Sequence, residues 1–474
     1  MTGKKYTFLI CLVSLCVVGI YACKKDPAII QVEELLPEED EEYSGGKDNT
    51  VFDISTNAFS LSSPGLGSND ELLFFVGNSF FKQNWVAAPS STLARDGLGP
   101  TFNARSCAAC HLKDGRGMPP TVPGDMSTGL LMRISIPGSD AHGGPLHDPN
   151  YGDQVNDQAN PGIGAEGQIS IAYTTINGSF PDGETYTLQS PTYSITGIGY
   201  GAMGGGIMMS PRVGQQVIGM GLLEAIDESS ILYLSDENDA NADGISGKPN
   251  YVWDAINQKT SLGRFGWKAN QPSVLQQTAG AFLGDIGITT SLFPTQNCTG
   301  IQTGCSTAPD GGQPEITDDD LQKVLLYISN LAVPARRNHD DKTVLQGKKL
   351  FNQAGCVSCH KPGYVTGNHP RFSNLSNQKI FPYTDLLLHD MGTALADGRP
   401  DFKADGNEWR TPPLWGIGLI NTVNGHTRFL HDGRARNMEE AILWHGGEGE
   451  RSKNNYKALS KQERLAVLEF LNSL

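Results

Sequence analysis

Apolar residues recur at helical spacing in three places along this chain. A helix over 344–351 carries Val344, Leu345, Leu350 and Phe351 on one face. A second begins after Thr317, with Val324, Leu325, Ile328 and Leu331 along one stripe and Pro334 as its stop. A third closes the chain. Ser460 opens it, Glu463 stands at the capping-box position, and Leu465, Val467, Leu468, Phe470 and Leu471 supply its apolar surface. Thr317 with Asp320 mirrors Ser460 with Glu463, which suggests one plan used twice. Between the two ends the pattern changes to alternation, over 130–136, 169–175 and 185–195, in a background rich in Gly and Pro. These stretches read as short strands and long loops.

The N-terminus follows different rules. Lys4 and Lys5 precede an apolar run over 8–21 that is too short to span a bilayer comfortably. It ends in Ile20-Tyr21-Ala22-Cys23, which resembles a lipobox; the expectation is a signal peptide over 1–22, with lipid on the Cys23 thiol and a tether to the bacterial cell envelope facing the periplasm. Ordinary cleavage to a soluble exported protein is the alternative. Residues 33–42 read EELLPEEDEE and lie in a stretch, 23–65, without apolar periodicity. Composition makes this an acidic, flexible linker. It accounts for part of the net charge of −15, and no basic patch suggests nucleic acid.

The chemistry lies in two CxxCH motifs, Cys107-Ala108-Ala109-Cys110-His111 and Cys356-Val357-Ser358-Cys359-His360. The pattern is the attachment site of haem c: two thiols add to the vinyl groups and the histidine ligates iron. A zinc knuckle or a thiol redox pair is the plainer alternative. Zinc would need four clustered ligands, and a redox pair has no use for the adjacent histidine. The remaining cysteines then sort by compartment. Cys11 and Cys16 leave with the signal, Cys23 takes lipid, and Cys298 with Cys305 reads as a disulfide across a polar loop. The expected fold is mainly α, with two cytochrome c-like haem domains. The first, 66–335, is enlarged by insertions with loops and short β-strands; the second is 336–474.

The runs LGPTFNARSC (98–107), LGRFGWKA (262–269), LLLHDMG (386–392) and FLHDGRAR (429–436) resemble the bacterial di-haem oxidoreductase family, whose members are labelled peroxidases or thiol oxidoreductases. More distantly, Thr411-Pro412-Pro413-Leu414, Leu430-His431-Asp432-Gly433 and Met438-Glu439-Glu440-Ala441 are similar to di-haem cytochrome c peroxidases and the methylamine dehydrogenase maturation enzyme. The resemblance implies one six-coordinate, electron-storing haem and one that opens a position for a small oxidant such as hydrogen peroxide, fed by a periplasmic electron donor. In those peroxidases the second ligand of the C-terminal haem is a methionine fourteen residues after the motif histidine. Counting from His431, that position is His445 here, which implies a bis-histidine haem of lower potential. Met391 and Met438 are its rivals. His389 and His431, which flank this haem in the family pattern, read as structural.

For the N-terminal haem, His111 is the proximal ligand and no second ligand is evident; His142 and His147 read as solvated loop residues. Candidates for an acid/base or relay group beside it are Glu224, Trp267 and Lys268, with a helix-surface carboxylate, a core indole and a solvated charge as their plainer readings. Asp239, Asn241 and Asp243 alternate before Gly244 as in a calcium loop, but the twelfth position is Asn250. A calcium site and an Asx-rich turn both fit. The functional expectation is a peroxidase-like di-haem enzyme. A non-catalytic electron relay or a thiol oxidoreductase are the alternatives.

Overall fold

The computed structural model describes residues 35–122, 125 and 129–474. The signal peptide, the lipobox and Cys23 lie outside the described residues. Pro37–Leu474 forms one compact unit. It is less helical than the sequence suggests. Twelve α-helices are interleaved with small sheets of two or three strands among the described residues, so the fold is mixed rather than mainly α. The long stretch between the first CxxCH and Thr317 accounts for this: it is mostly sheet and loop, with only short helices.

One helix pair occurs twice. Helix Ser68–Lys82 packs on Asp318–Ser329, and helix Lys342–Gln353 packs on Lys461–Ser473. Each crossing is close enough to require glycine. A Cβ at Gly77 would lie 2.1 Å from the Lys323 carbonyl oxygen, and one at Gly347 would lie 1.9 Å from that of Ala466. The expected caps are present. Thr317 accepts from the Asp320 N–H, and Ser460 with Glu463 closes a capping box. Asp341, an unremarked cap, accepts from Thr343 and Val344.

The alternating stretches form strands Leu130–Ser139, Gln168–Ser179 and Thr185–Thr196. The last two pair over their whole length as an antiparallel hairpin. This arm reaches across to the C-terminal part of the chain. Asp182 and Glu184 at its turn pair with Arg464, and Tyr193 donates to Asp432 at 3.0 Å. The expected disulfide, Cys298–Cys305, is formed.

The described part of the acidic linker is not a spacer. Glu41 is 1% exposed and pairs with Arg336 at 2.6 Å and Lys348 at 2.5 Å, while Glu38 also reaches Lys348. Thr50–Val51 then adds as a parallel strand to Val333–Pro334, just before the expected domain boundary between 335 and 336. Local composition could not show this, because the cationic partners lie about three hundred residues away in sequence.

Candidate functional site

Each CxxCH motif opens onto its own large cavity, with empty volumes of about 1460 Å³ and 1520 Å³ including their mouths. In the first motif a single turn, Cys107–Cys110, carries both thiols and delivers His111 at its end. Asp114 locks the turn to the closing helix: Tyr327 and Ser60 each donate to its carboxylate at 2.6 Å. His111 Nδ1 donates to the Gln215 carbonyl at 2.6 Å, and His360 Nδ1 to that of Tyr383 at 3.0 Å. A carbonyl can only accept, so both rings carry the Nδ1 proton and keep the Nε2 lone pair free for a metal.

Burial pushes Cys107 and Cys356 up to about 12, so neither is a ready thiolate. Nor do the two cysteines and histidine of either motif converge. Among the described residues only Cys359, Asp385 and His389 bring three potential ligand atoms together. There Asp385 holds His389 at 2.8 Å and Glu448 holds it at 2.6 Å. Although burial opposes it, the Asp385 carboxylate keeps His389 well above the usual histidine range. His431 lies flat on Trp409, ring centroids 3.8 Å apart, and burial lowers it to about 4. Both side chains are thus held by protein neighbours in the wall of the C-terminal cavity.

His445 faces the same cavity as His360. It ends helix Met438–Trp444, which Asn437 caps, and its Nδ1 donates back to the Ala441 carbonyl at 2.7 Å. This satisfies one of the orphan carbonyls of the helix end and leaves Nε2 free. Burial lowers His445, and charge on it would lower His360 in turn, as expected of two imidazoles sharing one space. Met391 and Met438 also line this cavity. The two cavities share a wall made by Gln215, Gln216, Trp267, Arg410 and Pro413. Trp267 is fixed there by Nε1 donating to the Val213 carbonyl at 2.8 Å, with the Arg116 guanidinium 5.2 Å from its ring centroid.

The N-terminal cavity contains no histidine besides His111 among the described residues. One wall is the helix Val274–Ala281 and the wider turn that extends it to Ile286. Val274, Gln277, Thr278, Ala281 and Asp285 all face inward from it, at helical spacing. Asp285 is the one carboxylate in this wall among the described residues. Burial raises it from the ordinary aspartate value, and Gln154 donates to its Oδ1 at 2.9 Å. Met220 lines the cavity as well. Sequence reading missed Gln277 and Asp285. The available signal was a helical face apolar except for Gln277, Thr278 and Asp285.

Of the three sequence candidates for this cavity, only Trp267 reaches it. Glu224 instead accepts the Val274 N–H at 2.8 Å and contacts His369 at 3.3 Å, capping the wall helix from outside. Lys268 points away from its neighbour Trp267 into a dry polar nest. It is 0% exposed, and bonds Asp397, the Arg399 carbonyl and the Asp405 carbonyl at 2.7–2.8 Å. His142 and His147 are exposed, His142 stacked on Trp253 at 3.9 Å. The loop of Asp239, Asn241 and Asp243 spends its side chains on its own backbone. Asp239 accepts the Gly244 N–H at 3.1 Å, Asn241 that of Asp243, and Asp243 that of Ile245. This is the arrangement of an Asx-rich turn.

No curated protein matches the chain. The sequence pattern of one family, described as "di-haem oxidoreductase, putative peroxidase", matches residues 39–474, nearly the whole of the compact unit. The chain therefore belongs to the di-haem oxidoreductase family.

Proposed function

We propose that this chain is an exported, lipid-anchored peroxidase in which two c-type haems have unequal tasks. Haem c is joined to Cys107 and Cys110 in one unit, 66–335, and to Cys356 and Cys359 in the other, 336–474. His111 and His360 are the proximal ligands. The observation that carries the reading is the inequality of the two cavities. The C-terminal one holds a second imidazole, His445, with its Nε2 free. The N-terminal one has no second histidine among the described residues, and Gln277 and Asp285 face into it from its wall helix.

Bound haem supplies a reversible electron store at each site and, where an iron position is open, the means to cleave an O–O bond. The chain's own residues divide the remaining work. His360 and His445 would both hold the iron of the C-terminal haem, which would suit storage. Gln277 orients the peroxide by hydrogen bonding. Asp285 takes the proton from one peroxide oxygen and returns it to the other, a general acid–base role that burial favours by moving its carboxyl toward neutral pH. Trp267 fills the wall through which electrons pass between the cavities. Each hydrogen peroxide consumes two electrons and two protons and leaves two waters, the electrons coming from a reduced periplasmic carrier.

A relay with two six-coordinate haems is the second reading, and Met220 in the N-terminal cavity wall favours it. A cyanide titration of the purified protein distinguishes them. The peroxidase binds one cyanide per two haems and consumes peroxide with a reduced donor. A protein that binds none and leaves peroxide untouched is the relay.

A further inference from the structure

Among the described residues, two buried guanidinium groups in the cavity walls form no ion pair with a carboxylate. Arg410 is 4% exposed and lines both cavities. Its Nε donates to the Gly266 carbonyl at 2.8 Å, Nη1 to the Thr411 carbonyl at 3.2 Å and Nη2 to Gln215 Oε1 at 2.8 Å. All three acceptors are neutral, and two of its five N–H donors stay unused. Among the described residues no carboxylate forms an ion pair with it. The other arginines of the N-terminal cavity wall are different: Arg212 is paired with Asp401 and Arg133 with Asp153. Arg116 repeats the exception, but only in the C-terminal cavity. It is 6% exposed, and donates to the Arg428 and Leu430 carbonyls.

A buried charge left to neutral acceptors is costly. Burial lowers both Arg410 and Arg116 to about 10, although Asp385 acts the other way on Arg410 and Asp432 on Arg116 without pairing with them. An anion entering the cavities would relieve that cost, and the group that these cavities suit brings carboxylates of its own. Haem carries two propionates, and arginine is the side chain best shaped to receive them.

We propose that Arg410 is the counter-ion shared by the two haems: it receives a haem carboxylate in the wall between the cavities and raises both reduction potentials at once. This inference rests on the di-haem reading above. A fixed cation favours the reduced, less positive iron, and one standing between two irons acts on both. Arg116 adds the same effect for the C-terminal haem alone. The pair also answers a difficulty raised by His445. A second imidazole lowers a haem potential, and buried positive charge brings it back toward the range of a periplasmic donor.

The test is a spectroelectrochemical titration of the full-length protein and its variants, with haem content measured in parallel. Arg410→Gln should lower both midpoint potentials, Arg410→Lys should lower both by less, and Arg116→Gln should lower only that of the C-terminal haem. An Arg410→Gln protein in which either potential stays put or rises overturns the proposal. If Arg410→Gln does not assemble, Arg410→Lys decides: a shift in one haem alone, or in neither, refutes it. A purely structural role for Arg410 would change yield and melting temperature without moving the two potentials together. Two covalent haems per chain with unmoved potentials would sink this inference and leave the di-haem reading standing.

Discussion

Replacing Asp285 with asparagine separates chemistry from architecture at the N-terminal cavity. The substitution keeps the shape of the side chain and keeps Oδ1 as an acceptor for Gln154 Nε2, now at 2.9 Å. Arg133, the cation that most offsets the burial of Asp285, remains paired with Asp153. A neutral amide is also easier to bury than a carboxylate. Stability should therefore change by no more than about 1 kcal/mol in either direction. Turnover should not survive. A positioned acid/base group contributes about 10²–10⁴-fold, equivalent to roughly 3–5 kcal/mol of barrier. The assay is steady-state peroxide consumption with a reduced donor, on protein of verified haem content and melting temperature. Its pH dependence carries the sign. The carboxylate acts first as a base, so wild-type activity falls as pH drops through its pKa. Burial places that limb above where an exposed aspartate would put it, and Asp285→Asn should lack it. Wild-type turnover in a stable Asp285→Asn protein would refute the assignment.

Two further predictions concern the scaffold. Glu41→Ala leaves Arg336 buried without its carboxylate and removes one partner of Lys348; breaking such a pair costs about 3–5 kcal/mol, read as a lowered denaturant midpoint, whereas a flexible spacer would show no change. Glu166 is 2% exposed, accepts from Asn156 and Gln302 at 2.7 Å, and is pushed by burial to about 7. Because its folded pKa lies above its unfolded one, its contribution is fully present below the unfolded value and is lost as pH rises through about 7. An amide keeps only one of the two acceptors, so Glu166→Gln should be less stable than wild type near pH 4, and that deficit should shrink by up to about 3 kcal/mol by pH 8; a deficit that is the same at both pH values would contradict this.

The sequence revealed what is local or strictly spaced. The CxxCH turns, the caps Thr317 and Ser460, the helices they open and the alternating stretches that become strands are readable because each depends on near neighbours; helix Ser68–Lys82 and the pairing of the strands into a hairpin were not read. Two kinds of feature were hidden. Long-range pairing was one: Glu41 looks solvated in its own run of acids, and only folding brings Arg336 and Lys348 to it. Side-chain direction in irregular backbone was the other. Lys268 adjoins Trp267 in a matching motif, yet the chain turns one toward the cavities and the other into the Asp397 nest. Glu224 lies near the cavity in sequence logic but caps its wall from behind. Gln277 and Asp285 were accessible in principle, since helical spacing places them on the face of Val274 and Ala281. The unpaired state of Arg410 was not, because absence of a partner is visible only when every neighbour is in place.

The inequality of the two haems is the central claim, and it has a direct spectroscopic test. Electron paramagnetic resonance of the oxidised full-length protein should give one low-spin, bis-imidazole signal and one high-spin signal per chain. His445→Ala should turn the first into a second high-spin signal. Two low-spin haems indifferent to cyanide and peroxide, or a His445→Ala protein with an unaltered spectrum, would contradict the account.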